Sequence, residues 1–288
     1  MHPEASPIPA PRIDAHHHVW HLGRGDYGWL VPSTRLRALC RDFDLAELRP
    51  LLTAAGIEAT VLVQAAPTVA ETTFLLDVAA ASRGLVRGVV GWVDLADPAA
   101  LDTLAELASA PLLKSVRPML QDIADPRWIL CAGVASAIAR LPALGLRFDV
   151  LATPRELPFV AEMVERCPDL PFVIDHCAKP QIAERSWQPW AADIARVARH
   201  PQAHCKLSGL VTEAGADLSA AELRPYVDHV LESFGPRRVL WGSDWPVVTL
   251  AATYSEWAAM AEDLLAGLSV EDRGAVFGGN AIRFYDLG

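Results

Sequence analysis

The stretch TVLVQAAPTVAETTFLLDVAAASRGLVRGVVGWVDL, Thr60–Leu95, holds one complete repeating unit of the chain. It opens on an apolar run, Thr60–Ala65, of strand length and without polar alternation, the pattern of a strand covered on both faces. Thr68 and Glu71 then stand at capping-box spacing, where the threonine accepts from a backbone N–H of the first helical turn. A helical stretch follows, and a second apolar run, Val89–Leu95, closes the unit. A strand, a helix and a strand in this order require a crossover and therefore a parallel pair.

The unit recurs along the chain. Apolar runs lie at Ile13–Val19, Thr60–Ala65, Val89–Leu95, Leu113–Met119, Leu146–Ala152, Phe172–His176, His204–Leu210 and Val239–Asp244, eight in all. Helix starts stand between them at Asp44-x-x-Glu47, Thr153-x-x-Glu156 and Ser219-x-x-Glu222, and Pro98 and Pro154 suit first helical positions. Gly56, Gly145 and Gly235 suit helix ends. Eight strand–helix units in 288 residues predict an α/β chain forming a single (β/α)8 TIM barrel over residues 12–288. A doubly wound sheet is disfavoured because no GxGxxG follows an early run. Residues 1–11, rich in proline, read as a flexible leader. His21–Phe43, with Tyr27, Trp29 and Pro32, is too long for an ordinary connection and reads as a packed lid after the first strand.

Composition excludes several classes of function. Apolar residues make up 52% of the chain, enough for a large core. With 25 basic and 35 acidic side chains the formal charge is −10, which argues against nucleic-acid binding and against a polybasic membrane anchor. No apolar stretch reaches bilayer-spanning length, and the N-terminal residues lack a signal-peptide core. The 5 cysteines are odd in number and form no CxxC pair, so reduced thiols and a cytoplasmic location are expected. No heptad seam indicates an oligomeric state.

Chemistry in such barrels sits where the strands end. The first run reads Asp14-Ala15-His16-His17-His18, and alternation puts His16 and His18 on one face and His17 on the other. The second ends in Gln64, the fourth carries Ser115 and Arg117, and the sixth ends Asp175-His176. The seventh carries Lys206 and Ser208 on one face, and the eighth ends Gly242-Ser243-Asp244. Taken singly, each has a structural reading: a histidine or aspartate anchors a loop, Arg117 forms an ion pair, and Lys206 snorkels to solvent. His17, Cys177 and Cys205 suit packing roles. Together they conflict with an inert barrel, whose interior is filled by branched apolar side chains.

The motifs Ile13-Asp-Ala-His-His-His-Val-Trp20, Asp175-His-Cys-Ala-Lys-Pro180, Lys206-Leu-Ser-Gly209 and Gly242-Ser-Asp-Trp-Pro246, in this order, resemble the amidohydrolase superfamily. Tyr27-Gly-Trp-Leu30, Val63-Gln-Ala65, Val116-Arg-Pro118 and Phe277-Gly-Gly-Asn-Ala281 narrow the resemblance to its lactonase group, which opens L-fucono-, L-rhamnono- and 2-pyrone-4,6-dicarboxylate lactones. The resemblance covers nearly the whole chain after the leader. It implies a hydrolase of carboxylic ester bonds in sugar-acid metabolism, acting on a small-molecule lactone with water handled at Asp244. The fifth run has no histidine and the fourth offers Arg117, so a two-metal site is not expected. No cofactor is required by the pattern; if a single divalent ion such as zinc binds, His16, His18, His176 and Asp244 are its ligands.

Asp244, His176, His16 and His18 are accordingly the expected catalytic set, Asp244 as general base and the histidines polarising the carbonyl. Arg117, Lys206, Ser208 and Gln64 are expected to hold polar groups of the substrate, with Tyr27, Trp29, Trp92 and Trp245 packing on a polyhydroxylated ring. Arg117 is the one strand-borne arginine expected at the mouth, with Arg24 and Arg35 possible additions from the lid, which favours a sugar-acid lactone over a pyrone dicarboxylate. The rivals are a metal-dependent decarboxylase of the same superfamily and a barrel that binds without catalysing.

Overall fold

Each of the eight apolar runs supplies a strand: β1 (Ile13–His17), β2 (Ala59–Val63), β3 (Val86–Gly91), β4 (Leu113–Val116), β5 (Arg147–Val150), β6 (Phe172–Ile174), β7 (Ala203–Leu207) and β8 (Val239–Trp241). The computed structural model describes residues 11–215 and 219–288, so the expected leader lies almost wholly outside the described residues. All seven neighbouring pairs are parallel, in the order β1 to β8. The segment after β8 closes the ring on β1: Asp244 N donates to His16 O at 2.8 Å, and His18 N donates to Trp245 O at 2.7 Å. This is the (β/α)8 barrel the sequence predicts.

Among the described residues eleven α-helical segments cover or flank the strands: α1 (Leu45–Ala54), α2 (Val69–Ala81), α3 (Ala100–Leu107), α4 (Ala132–Arg140), α5 (Leu157–Glu165), α6 (Trp190–Ala198), α7 (Leu210–Glu213), α8 (Ala220–Phe234), α9 (Tyr254–Leu264), α10 (Val270–Gly274) and α11 (Asn280–Tyr285). Asp44, Thr68 and Ser219 cap α1, α2 and α8 as expected. Two expected starts move. Glu156 accepts from Thr153 N at 2.9 Å and Thr153 Oγ1 at 2.8 Å, closing a turn that delays α5 to Leu157. Asp97 accepts from Ala99 N at 2.7 Å, and α3 begins only at Ala100, beyond Pro98.

β3 begins and ends earlier than its apolar run, because Trp92 N donates to Thr72 Oγ1 at 2.8 Å and Trp92–Leu95 turns onto the mouth. Inside the barrel Ile13, Ala15, Val61, Val63, Val173 and Leu240 pack on Phe284 and Tyr285 of α11, which plugs the end where the strands begin. The expected lid is packed. Trp20 and Phe43 exchange backbone hydrogen bonds at 3.1 and 2.9 Å, and Trp29 Nε1 donates to Ala65 O at 2.7 Å. All five cysteines are free, and no helix among the described residues is long and apolar enough to cross a membrane.

Candidate active site

A buried layer of charge lies beneath the mouth. Lys206 Nζ on β7 is 2.6 Å from Asp149 Oδ2 on β5, 3.0 Å from Asp175 Oδ1 and 3.1 Å from His16 Nδ1. Asp149 also accepts from Ser115 Oγ at 2.6 Å and Tyr285 OH at 2.7 Å. Arg117 donates to Asp175 Oδ2 at 3.1 Å and to Gln64 O, while Gln64 Nε2 donates to Arg117 O at 2.8 Å. Two cations therefore balance two carboxylates that are wholly removed from water. Burial pushes Asp149 up. Burial would push Asp175 up as well, but Lys206, His16 and Arg117 hold it well below the usual carboxylate range.

The reactive layer rests on this one. His16 Nε2 is 3.2 Å from His18 Nε2, and Asp244 Oδ1 is 3.8, 3.4 and 3.9 Å from the Nε2 atoms of His16, His18 and His176. The remaining ring nitrogens have fixed partners. His18 Nδ1 donates to Val63 O at 2.8 Å, and His176 Nδ1 meets Ser208 Oγ at 2.9 Å. The Lys206 ammonium donates to His16 Nδ1, which places the His16 proton on Nε2, facing the His18 lone pair. Burial lowers His176 to about 4 and, with help from Lys206, His16 well below the ordinary 6.5. Burial opposes ionisation of Asp244, but His176, His18 and Lys179 outweigh it and hold its pKa down. Near neutrality the centre is therefore an ionised carboxylate beside neutral His16 and His176 rings.

The same centre suits a metal. Donor atoms of His16, His176 and Asp244 all lie within 4.8 Å of one another, and His18 adds a fourth at the contacts just given. Two or three imidazoles and a carboxylate are the donor types zinc takes, and a cation held at His16 Nε2 would shift that ring's proton to Nδ1, which lies 3.6 Å from Asp175 Oδ1. The chain thus carries a candidate divalent-metal site.

Backbone conformation aims these groups. His176, Cys177, Ala178 and Lys179 all have left-handed φ, at 52°, 52°, 57° and 49°. The turn directs His176 towards Asp244 and sets Lys179 on the cavity wall. Asp244 is itself left-handed, at φ 58°. Asp14 holds the preceding residue, accepting from Ser243 N at 2.8 Å and from Tyr254 OH at 3.0 Å. Gly209 has φ +67°, and a Cβ there would come 2.7 Å from the His176 ring, so the ring's position demands glycine.

A cavity of about 270 Å³ opens above the centre. Its walls include His18, Arg117, His176, Asp244 and Trp29 from the expected set. His16 is fully buried beneath them. Lys206, Ser208 and Gln64, expected to hold polar groups of the substrate, are fully buried and hydrogen-bonded within the protein below the wall. Tyr27 and Trp245 also leave the wall: Tyr27 packs on Trp20 and Trp245 on Phe43, with ring centroids 6.3 and 5.4 Å apart. Trp92 lines a neighbouring cavity instead. Arg24 pairs with Asp26 at 2.7 Å rather than serving the site. Sequence reasoning missed Lys179 and Gln121 as wall residues, and Asp149 as a partner of Lys206. Lys179 lay inside a quoted motif; Asp149 is a lone acid in an apolar run and gave no signal.

A parallel barrel with two histidines at the end of its first strand, a third after the sixth and an aspartate after the eighth defines a hydrolase of the amidohydrolase type. The chain belongs to the amidohydrolase family, which it matches over residues 13–287. It is 45% identical over 280 residues to the L-fucono-1,5-lactonase of Burkholderia ambifaria, covering 96% of each chain. It is 38% identical over 290 residues to the L-fucono-1,5-lactonase of Burkholderia multivorans, covering 96% of this chain and 97% of that one. A crystal structure of an amidohydrolase from Burkholderia multivorans with bound zinc superposes with a TM-score of 0.90 at 38% identity, covering 97% of this chain and 100% of that one.

Proposed function

We propose that this hydrolase opens the ring ester of a sugar-acid lactone of the L-fucono-1,5-lactone kind. The observation that carries the reading is the Asp244 carboxylate on the cavity wall, ringed by His16, His18 and His176. The two lactonases it resembles over nearly their whole length support the substrate class.

The residues assign themselves roles by their free atoms. A water beside Asp244 gives its proton to the carboxylate as its oxygen attacks the ring carbonyl. His18 Nε2, with its proton committed on the Nδ1 side, accepts from His16 Nε2 and so holds its ring beside Asp244. Negative charge grows on the carbonyl oxygen. The Lys179 ammonium stands on the same wall, and Arg117 lines it as well, its guanidinium anchored by Asp175 and Gln64 O. The tetrahedral centre then expels the ring oxygen, which takes the proton back from Asp244. When a divalent ion is bound, His16, His18, His176 and Asp244 hold it, and it supplies Lewis acidity at the carbonyl or the water. Gln121 and Asp122 on the wall offer partners for ring hydroxyls. Arg117 is already tied to Asp175 and Gln64, which among the described residues leaves Lys179 as the one wall cation for a substrate with two carboxylates. The substrate is a small molecule, and the free thiols suit a reducing compartment.

The test is hydrolysis of an aldonolactone panel, together with 2-pyrone-4,6-dicarboxylate, by the native enzyme and by Asp244→Asn, with and without chelator. L-Fucono-1,5-lactone should be opened, and Asp244→Asn should lose at least about 10²-fold in kcat. Loss of activity on chelation, restored by zinc, would establish the metal as required. Preference for the dicarboxylate, or full activity in Asp244→Asn, would overturn the proposal.

A further inference from the structure

The catalytic cavity has a larger neighbour. A second cavity of about 510 Å³ opens beside it, and the two share Trp29, Met119 and Asp122 as walls. It is built from the segments that follow β1, β2, β3 and β4, all at the catalytic face. Its apolar walls include Trp29, Trp92, Trp128, Leu95, Met119 and Ile123.

Its polar groups are already engaged or solvated. Asp26 is held by Arg24 at 2.7 Å, Asp94 accepts from Ala96 N at 3.0 Å, and Asp122 is exposed at the rim. No lysine, arginine or histidine lines it among the described residues. A carboxylated group placed there would meet three acids and no cation. An uncharged apolar group would meet three indoles and five aliphatic or proline neighbours. The smaller cavity, at about 270 Å³, suits one small ring, so a lactone with a longer arm has the second cavity as its place to extend.

We infer that this second cavity is a substrate subsite for an aliphatic arm, and that the enzyme opens δ-lactones bearing an alkyl chain on the ring carbon next to the ring oxygen. The inference rests on the lactone-hydrolase reading of the adjoining site. No new chemistry is needed, because the ring ester is opened as before and the arm contributes only burial. A well-buried methylene is worth roughly a fourfold gain in kcat/KM.

The experiment is a matched series, δ-hexalactone, δ-octalactone and δ-decalactone, measured beside L-fucono-1,5-lactone in the native enzyme, Trp128→Ala and Ile123→Glu. Neither variant touches the catalytic cavity. In the native enzyme kcat/KM should rise at least about tenfold from δ-hexalactone to δ-decalactone. Either variant that folds should flatten that rise while leaving turnover of L-fucono-1,5-lactone within about twofold. Hydrolysis of L-fucono-1,5-lactone with no rise along the series, or a rise that survives in the variants, overturns the subsite and leaves the lactonase reading intact. Failure to open any lactone overturns both.

Discussion

Lys206 shows how far a single residue could be read. Alternation along β7 correctly groups it with Ser208 on the inward face, but alternation reports direction and not depth. Both side chains lie a layer below the cavity, where Lys206 neutralises Asp149 and Asp175. Removing one partner from a buried ion cluster costs about 3–5 kcal/mol, because the groups left behind stay desolvated and unpaired. Lys206→Met should therefore lose about 3 kcal/mol in urea unfolding, and Lys206→Met/Asp149→Asn should recover at least about 1 kcal/mol by removing one stranded carboxylate. A double variant no more stable than the single one would show that the pairing contributes nothing. Gly209 is the second instance. Gly209→Ala places a methyl against the His176 ring at a left-handed backbone position. It should cost about 1–2 kcal/mol of stability and lower kcat about tenfold or more, read by thermal melts and lactone kinetics. Unchanged kcat would mean that the position of His176 is unimportant.

At the scale of elements, strands were more legible than the ends of elements. All eight apolar runs overlap a strand, because strands covered on both sides are rich in apolar side chains. Their C-terminal portions were over-read, since Trp92–Leu95, Pro118–Met119 and Leu151–Ala152 are equally apolar but have left the sheet to build the mouth. The turn at His176–Lys179 had no signature at all. Four consecutive left-handed residues without a glycine contradict local preference, and tertiary contacts impose them. Caps were legible wherever the acid reached the helix, and misleading at Thr153, where Glu156 bonds backward into the loop. A full capping box at Thr253 and Glu256 went unnoticed, although both of its hydrogen bonds form at the start of α9. Thr253→Ala should cost about 1 kcal/mol and lower the melting temperature by about 2–4 °C without altering lactone turnover. A melting temperature unchanged within error would mean that the box adds nothing to α9.

At the scale of the whole molecule, buried titratable groups of opposite sign set the pH dependence of folding. His204, at the start of β7 against Phe284, is lowered by burial from the ordinary 6.5 to about 4. Between those values the unfolded chain binds a proton that the fold refuses, so this contribution is present above 6.5 and is lost as pH falls through about 4. Glu71 behaves oppositely. Burial raises it from 4.5 to about 7 despite its bonds to Ala65 and Ala66 N–H, so the fold keeps a proton that the unfolded chain releases. That contribution is present below 4.5 and is lost as pH rises through about 7. Between pH 5 and 7 the two terms are each worth about 2 kcal/mol and oppose one another, while the lowered His16, His17 and His176 act in the His204 direction. Single variants should expose them. His204→Gln should tilt the change in unfolding free energy from pH 5 to pH 7 downward by about 2 kcal/mol, and Glu71→Gln should tilt it upward by a similar amount. Urea unfolding at the two pH values measures both tilts, and tilts of the same sign would exclude this balance. Because His204 lies at the end of the barrel opposite the cavity, its replacement should leave lactone hydrolysis at pH 7 unchanged, so the folding term is read free of any effect on the site.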